Sequence, residues 1–445
     1  MTVNTVLILC LTFLAVSCAK NQNIDQIHID VSEQETGKLG LNYSSDFEYK
    51  FLTSVLSENL KANFLNSLKS NSEYKAHQKR LKRVNEEIEK VRSDIGVSLN
   101  YGVYLSPLST SSENVELVPN TSLEIPFFNS EIKKLKLKEL EITLFQRRLS
   151  LIEFVNQYYN DMLLDALRIS NEKNKSKILQ DTLEKQKEVY AKVIEKFDVQ
   201  RASKYDLSLV QQSVLKSEID LQDSLDKLES ISESSYLFYG FRPRIDLNDF
   251  QSSFSRDISS AKLEHNIRRK KLKLTVSALD LQFKALSLNY RPKPSFLLTA
   301  ETPIDTFGDT SMRYSARVNL ANINWKMNQR EFERQDLSLQ RQAIQEELNS
   351  QVQKLERKNK EYKSKDLALK RRLTSQINLI SLLEQKKTSI MDLFLLNRID
   401  INQVKTMETE ILQANLEELK IRYDLALNAL ETLRLVPSMQ IELKE

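Results

Sequence analysis

Apolar positions recur along most of this chain with the spacing of a helix. Ile132, Leu135, Ile142, Phe145, Leu149, Ile152, Val155, Tyr159 and Met162 step by threes, fours and a seven, as do Leu207, Val210, Val214, Leu221, Leu225 and Leu228. Such a stripe with charged flanks reads as a coiled-coil-like seam. No Gly or Pro interrupts the chain between Pro126 and Gly240, nor between Gly308 and Pro437. Both residues weaken helix interiors, so these spans predict very long helices. One running from about Asn129 to Lys196 would reach roughly 100 Å at the standard rise per residue.

In two regions the period changes to two. Val97, Leu99, Tyr101, Val103 and Leu105 alternate with Ser98, Asn100, Gly102 and Tyr104, and Thr121, Leu123, Ile125 and Phe127 alternate with Ser122 and Glu124. Phe296, Leu298 and Ala300 behave alike, and Met312, Tyr314, Ala316, Val318 and Leu320 alternate with Arg313, Ser315, Arg317 and Asn319. Each run predicts a strand with one apolar and one polar face. Turn-rich loops at Ser106–Asn114 and Pro303–Thr310 pair them into hairpins over about 95–128 and 294–325.

The pattern repeats. A shift of 197 positions (325 − 128) carries Phe128 onto Trp325, Leu123 onto Leu320, Leu207 onto Val404, Val214 onto Ile411 and Gly240 onto Pro437. It also carries Ser203 onto Asp400. Ser203 with Asp206 resembles a capping box, and Asp400 is an Asp N-cap with Gln403 three residues on. These coincidences predict a tandem duplication: a first repeat over 47–243, a linker over 244–258, a second repeat over 255–437 and a tail over 438–445. Each repeat reads as helix, hairpin, long helix, turn and helix, with helical turns over about 197–206 and 395–403.

Composition narrows the chemistry. Lys and Arg number 65 and Asp and Glu 61, a balance that excludes the clustered basic footprint of a nucleic-acid binder. With 3 His and 2 Cys, widely scattered, neither a His/Cys metal cluster nor a disulfide framework can be built. His28, His77 and His265 stand singly in polar surroundings and read as solvated side chains. Phosphate-cradling loops and nucleophile elbows are absent, so the chain reads as a non-enzyme with no cofactor.

Val6–Val16 is a mostly apolar run too short to span a bilayer and suited to a signal peptide over 1–17. Leu14-Ala15-Val16-Ser17-Cys18 resembles a bacterial lipobox, in which the cysteine carries lipid after cleavage. Ala15 stands where Leu is commoner, and Met1–Thr5 contains no Lys or Arg. On this reading Cys18 is the lipid attachment residue, and 18–46 is a polar tether.

Four amphipathic strands suit a wall between lipid and water, with apolar residues outside and polar residues inside. A bilayer tolerates no open sheet edge, and single-chain barrels begin at about eight strands, so four must close with strands from other copies. Phe127, Phe128 and Trp325 at the strand ends suit a membrane-interface girdle.

The duplicated helix–hairpin–helix–turn–helix order after a lipobox-like segment resembles the TolC-type outer-membrane efflux proteins. The resemblance covers essentially the whole mature chain. It rests on the strand closures Leu123–Phe128 and Leu320–Trp325 and on the turn segments. In that family the turn often reads Gly, two residues, Ser, two residues, Asp, then an aliphatic. Gln200–Leu207 is similar but has Gln at the Gly position, and Asn397–Val404 is looser, with Asn there.

The resemblance implies a mainly α fold and a homotrimer whose four strands per chain make a twelve-stranded barrel in the outer membrane of a Gram-negative bacterium. It also implies a helical tunnel in the periplasm whose tips dock onto a membrane-fusion adaptor served by an inner-membrane pump. The implied role is a passive exit duct for efflux or type I secretion, gated at the tip. Gating or docking candidates are Asp198, Arg201, Tyr205, Asp206, Asp392, Asn397, Arg398 and Asp400, with Asn402 beside them; Asp206 and Asp400 also suit helix caps. Arg313 and Arg317 would line the barrel lumen. The alternative is a lipid-anchored periplasmic coiled-coil adaptor or scaffold without a channel.

Overall fold

The computed structural model describes residues 47–51, 58–94, 98–107, 115–126, 129–247, 250, 263, 265–289, 295–301, 313–319, 327–396, 398–436 and 439–443. The elements in chain order are β1 (Phe47–Phe51), α1 (Glu58–Ser70), α2 (Ser72–Ser93), β2 (Ser98–Pro107), β3 (Val115–Pro126), α3 (Asn129–Asp198) and α4 (Lys204–Tyr239). There follow α5 (Ile267–Asn289), β4 (Ser295–Glu301), β5 (Arg313–Asn319), α6 (Met327–Leu395), α7 (Ile401–Leu433) and β6 (Met439–Leu443). The helix expected from Asn129 begins there and runs for 70 residues, and α6 runs for 69. At 1.5 Å per residue each is about 105 Å long.

Element spacing follows the offset read from the sequence. α3 and α6 end 197 residues apart (395 − 198), and α4 and α7 begin 197 apart (401 − 204). The N-caps obey local chemistry. Ser203 and Asp206 form a capping box, in which the Asp206 amide donates to Ser203 Oγ at 3.0 Å and the Ser203 amide donates to the Asp206 carboxylate at 2.9 Å. Asp400 caps α7 by accepting from the Asn402 amide at 3.4 Å. The helical region ahead of the first hairpin divides in two at Asn71, whose side chain accepts from the Glu73 and Tyr74 amides to start α2.

α3 is the hub: α2, α4, α5 and α7 all pack against it, whereas α6 packs along α5 and α7 and meets α3 near the helix ends. Val155, Tyr159, Met162, Leu163, Ala166 and Leu167 of α3 are fully buried. Aromatic rings tie this segment to its neighbours. Phe64 of α1 meets Tyr159 edge-on at 5.4 Å, Tyr158 meets Tyr239 at the end of α4 at 5.4 Å, and Tyr158 shares a 2.7 Å hydrogen bond with Ser67. His77 is not a solvated residue. It is half-buried and stacks on Phe154 at 5.4 Å, and burial followed by the nearby Arg80 charge holds its pKa below the usual range. Tyr239 donates to Asp165 at 3.3 Å, and burial pushes its hydroxyl pKa upward.

Two sheets are present among the described residues. One has the order β2-β3-β4-β5, antiparallel throughout, and comes from the two expected hairpins. The other pairs β1 with β6 and was not anticipated. The sequence carried its signal: Phe47-Glu48-Tyr49-Lys50-Phe51 and Met439-Gln440-Ile441-Glu442-Leu443 both alternate with period two, over only five residues each.

Phe64 is fully buried where α1 meets the α3 aromatics, so Phe64→Ala is expected to destabilise the helical body by about 3–5 kcal/mol. Chemical denaturation followed by far-ultraviolet circular dichroism would read the loss, and an unchanged midpoint would show that α1 is not part of the cooperative core.

Candidate functional site

Two places carry unusual surface chemistry: the four-stranded sheet and the ends of the long helices. Residues directly opposite on antiparallel strands share a face, so register decides which side chains combine. Leu99 lies opposite Leu123, Leu123 opposite Leu298, and Leu298 opposite Ala316. The rows Tyr101, Thr121, Ala300, Tyr314 and Ile125, Phe296, Val318 extend the same face. All four alternating patterns thus merge into one apolar surface. It is open: Leu99 is 70% exposed, and Tyr101 and Tyr314 are each 74% exposed.

The opposite face carries the rows Asn100, Ser122, Thr299, Ser315 and Ser98, Glu124, Leu297, Arg317. Arg313 stands at the edge position opposite Glu301, and Arg317 is exposed in the row that also holds Glu124. The two arginines therefore share their face with carboxylates. β2 and β5 are the edges of the sheet, each with a row of backbone groups unpaired by any other strand among the described residues.

At the helix ends, an apolar cluster binds the α3–α4 turn to the α6–α7 turn. Val189, Val193, Val210, Phe394, Ile401 and Val404 form its buried centre, flanked by Tyr190, Leu207, Ile390, Met391 and Ile399. Lys196 spans the two turns. Its ammonium lies 3.8 Å from the centre of the Phe394 ring and donates to the Phe394 carbonyl, satisfying a carbonyl at the end of α6. Burial, then the charge of Arg201, lowers the Lys196 pKa.

The charged residues singled out from the sequence surround this cluster. Asp198, Arg201, Tyr205, Asp392, Arg398 and Asp400 are exposed, and Asp206 is half-buried in its capping box. Lys196 and Phe394 were not singled out, because nothing in a sequence announces that a lysine and a phenylalanine 198 positions apart (394 − 196) will meet. Asn397, Cys18, Phe127, Phe128 and Trp325 lie outside the described residues, as do 1–17 and 18–46.

The turn after α3 is a Schellman closure. The Gln200 amide donates to the Phe197 carbonyl at 2.9 Å, and the Arg201 amide donates to the Lys196 carbonyl at 2.7 Å. Gln200 takes φ 56°, the left-handed region, at the position where the resembling family often has Gly. After α6 the Arg398 amide reaches back five residues to Leu393 at 2.9 Å, the long bond of the same motif.

Among the described residues no three His, Cys, Asp or Glu side chains gather as a metal site, and no helix is long and apolar enough to cross a membrane. An open groove of about 710 Å³ runs along α4 beside Asp226, Glu229, Glu233, Leu237 and Phe238.

No family model matches the chain, and no curated protein matches it. Solved structures do. The outer membrane protein VceC of Vibrio cholerae aligns with TM-score 0.68 at 9% identity, over 85% of this chain and 95% of that one. The open state of the Neisseria gonorrhoeae MtrE outer membrane channel aligns with TM-score 0.65 at 11% identity, over 88% and 95%. The Campylobacter jejuni CmeC outer membrane channel aligns with TM-score 0.64 at 11% identity, over 86% of each chain. At such identities the likeness establishes the fold, and the TolC-type architecture expected from the sequence is the one found.

A left-handed Gln costs about 1–2 kcal/mol relative to a residue without a Cβ. Gln200→Gly is therefore expected to stabilise the tip by about 1 kcal/mol, read as slower amide hydrogen exchange in the last turn of α3. Faster exchange would mean that the glutamine side chain supplies more than the strain removes.

Proposed function

We propose that the chain is the outer-membrane exit duct of a tripartite efflux or type I secretion system. Three copies close a twelve-stranded barrel in the outer membrane of a Gram-negative bacterium, and their long helices continue it as a tunnel in the periplasm. The duct is a passive conduit without a cofactor, gated at its periplasmic tip, where it meets a membrane-fusion adaptor served by an inner-membrane pump. Cys18 carries the lipid anchor after removal of 1–17, Phe127, Phe128 and Trp325 sit at the membrane interface, and Arg313 and Arg317 line the lumen. Asp198, Arg201, Tyr205, Asp392, Asn397, Arg398 and Asp400 serve gating or adaptor docking, with Asp206 fixing the first turn. The repeats 47–243 and 255–437 are tandem duplicates.

The observation that carries this reading is the open, edge-exposed sheet with one continuous apolar face. Water makes such a face unfavourable, and lipid makes its unpaired edges unfavourable, so both are satisfied only when β5 of one copy pairs with β2 of the next inside a bilayer. The fold shared with channels named as outer-membrane proteins supports the same conclusion.

The helices supply a matching lateral contact. α4 leaves Leu215, Ile219 and Leu225 exposed beside Glu229 and Glu233, while α6 leaves Ile377, Leu379 and Leu382 exposed beside Arg371 and Lys365. Counted from the tip at 1.5 Å per residue, Glu229 and Arg371 stand at about 36–38 Å, and Glu233 and Lys365 at about 44–45 Å. Acidic α4 and basic α6 thus present opposite charge at equal heights, which suits α4 of one copy against α6 of the next.

Purified full-length chain added to planar lipid bilayers is expected to give stepwise conductance increments. A protein that stays monomeric in water without detergent and never conducts would instead support the lipid-anchored scaffold. Glu229→Lys with Glu233→Lys is expected to reduce the trimer fraction in detergent about tenfold or more by juxtaposing like charges. Adding Arg371→Glu and Lys365→Glu is expected to restore it, and an absence of rescue would place the contact elsewhere.

A further inference from the structure

About 12 Å above the Asp400 cap, the seam of α7 contains a carboxylate. Glu408 is 8% exposed and belongs to the buried positions that otherwise carry Val404, Met407 and Ile411. Its Oε1 faces the Lys387 ammonium of α6 at 3.6 Å, beyond hydrogen-bond reach, and accepts no hydrogen bond. From α3, Lys185 also bears on it, with its ammonium 4.0 Å from Glu384 of α6. Glu408, Lys387, Glu384 and Lys185 thus bring charge from three helices to one junction, just above the apolar cluster that joins the two turns.

An apolar residue would fill this position at lower cost, since a buried charge needs well-placed partners and Glu408 has one loosely placed. Burial raises its carboxyl pKa, and Lys387 and then Lys185 offset this only in part. The sign follows from linkage. A raised pKa in the packed state means that the packed state binds the proton more tightly than a state in which the carboxyl reaches water. Acid therefore favours the packed seam, and that advantage is lost as pH rises through the packed-state pKa.

We propose that Glu408 is a proton-operated lock on the tip: with its carboxyl protonated, α7 is held against α6 and α3, and with the carboxylate ionised, the first turns of α7 part from that seam more readily. This rests on the reading of the chain as a duct gated at this end, and it makes the duct close in acid.

Hydrogen exchange over Ile401–Ile411 of the full chain in detergent, corrected for intrinsic rates from mildly acidic to mildly alkaline pH, tests the lock without requiring conduction. Protection in the wild type is expected to fall about threefold or more as pH rises. Glu408→Gln, an uncharged isostere of the protonated acid, is expected to hold the acid-level protection throughout. Lys387→Gln, which removes the nearest stabilising cation, moves the fall to higher pH. A flat wild-type profile, or a Gln variant that still follows the wild type, overturns the proposal.

In bilayer recordings, wild-type conductance is expected to rise with pH while Glu408→Gln stays at the acid level. Equal pH profiles in the two proteins overturn the lock as a gate. If no variant conducts at any pH, the duct reading fails, and the exchange experiment still decides whether Glu408 governs the seam.

Discussion

The body of the protein depends on burying the middle of α3 on several sides at once. Val155, Tyr159, Met162, Leu163, Ala166 and Leu167 have no route to water because α1, α2, α4, α5 and α7 all pack against this helix. These five helices are placed by that requirement. α4 and α7 leave their turns and return along α3, and α2 and α5 approach it before running out to the sheet. α6 matches α3 in length but lacks such surroundings: beyond Leu355, Asn359 and Phe394 none of its residues is buried among those described. Two helices of equal length with unequal burial leave one flank of the chain with apolar residues in water. That imbalance is the flank that the proposed association with further copies would cover.

Polar contacts inside the seams fix how the helices slide against one another. Ser217 donates to Gln186 at 2.6 Å, Gln376 to the Ala414 carbonyl at 2.9 Å and Asn428 to the Tyr362 carbonyl at 2.9 Å. Each such group adds less than a packed leucine would when paired, yet any shift in register leaves it buried without a partner, at a cost of about 1–3 kcal/mol. Over helices this long, a seam of aliphatic residues alone would tolerate a slip of one heptad. Buried amides and hydroxyls therefore hold the two turns level with each other, which the cluster around Phe394 and Ile401 requires.

Much of this was legible because it is local. Helix starts after Ser203 and Asp400 follow from capping chemistry, long helices from the absence of Gly and Pro, and the faces of four strands from a period of two. Even the departure at Gln200 was legible as a position that ought to favour Gly, and the chain takes the left-handed turn there regardless, because the two Schellman bonds and the docked cluster over-determine it. What escaped is non-local. The Lys196–Phe394 contact, the stacking of His77 on Phe154 and the pairing of β1 with β6 each join residues far apart in sequence. At the tip, the acidic and basic residues that stand out in the sequence face solvent, while apolar side chains hold the two turns together.

The 197-residue offset sharpens the meaning of the buried charges. It carries Gln211 onto Glu408, Tyr190 onto Lys387 and Lys185 onto Leu382. In the first half the corresponding places hold an exposed amide and a tyrosine packed on the apolar cluster, so no ionisable group is trapped in that seam. The packing of a long helical pair therefore does not demand a carboxylate at this height. Its presence in the α6–α7 pair alone makes one of the two turns responsive to protons while the other stays indifferent. In the proposed duct, paired turns that differ in this way would loosen on one side only, α7 parting from a seam whose α3–α4 counterpart holds no such carboxylate.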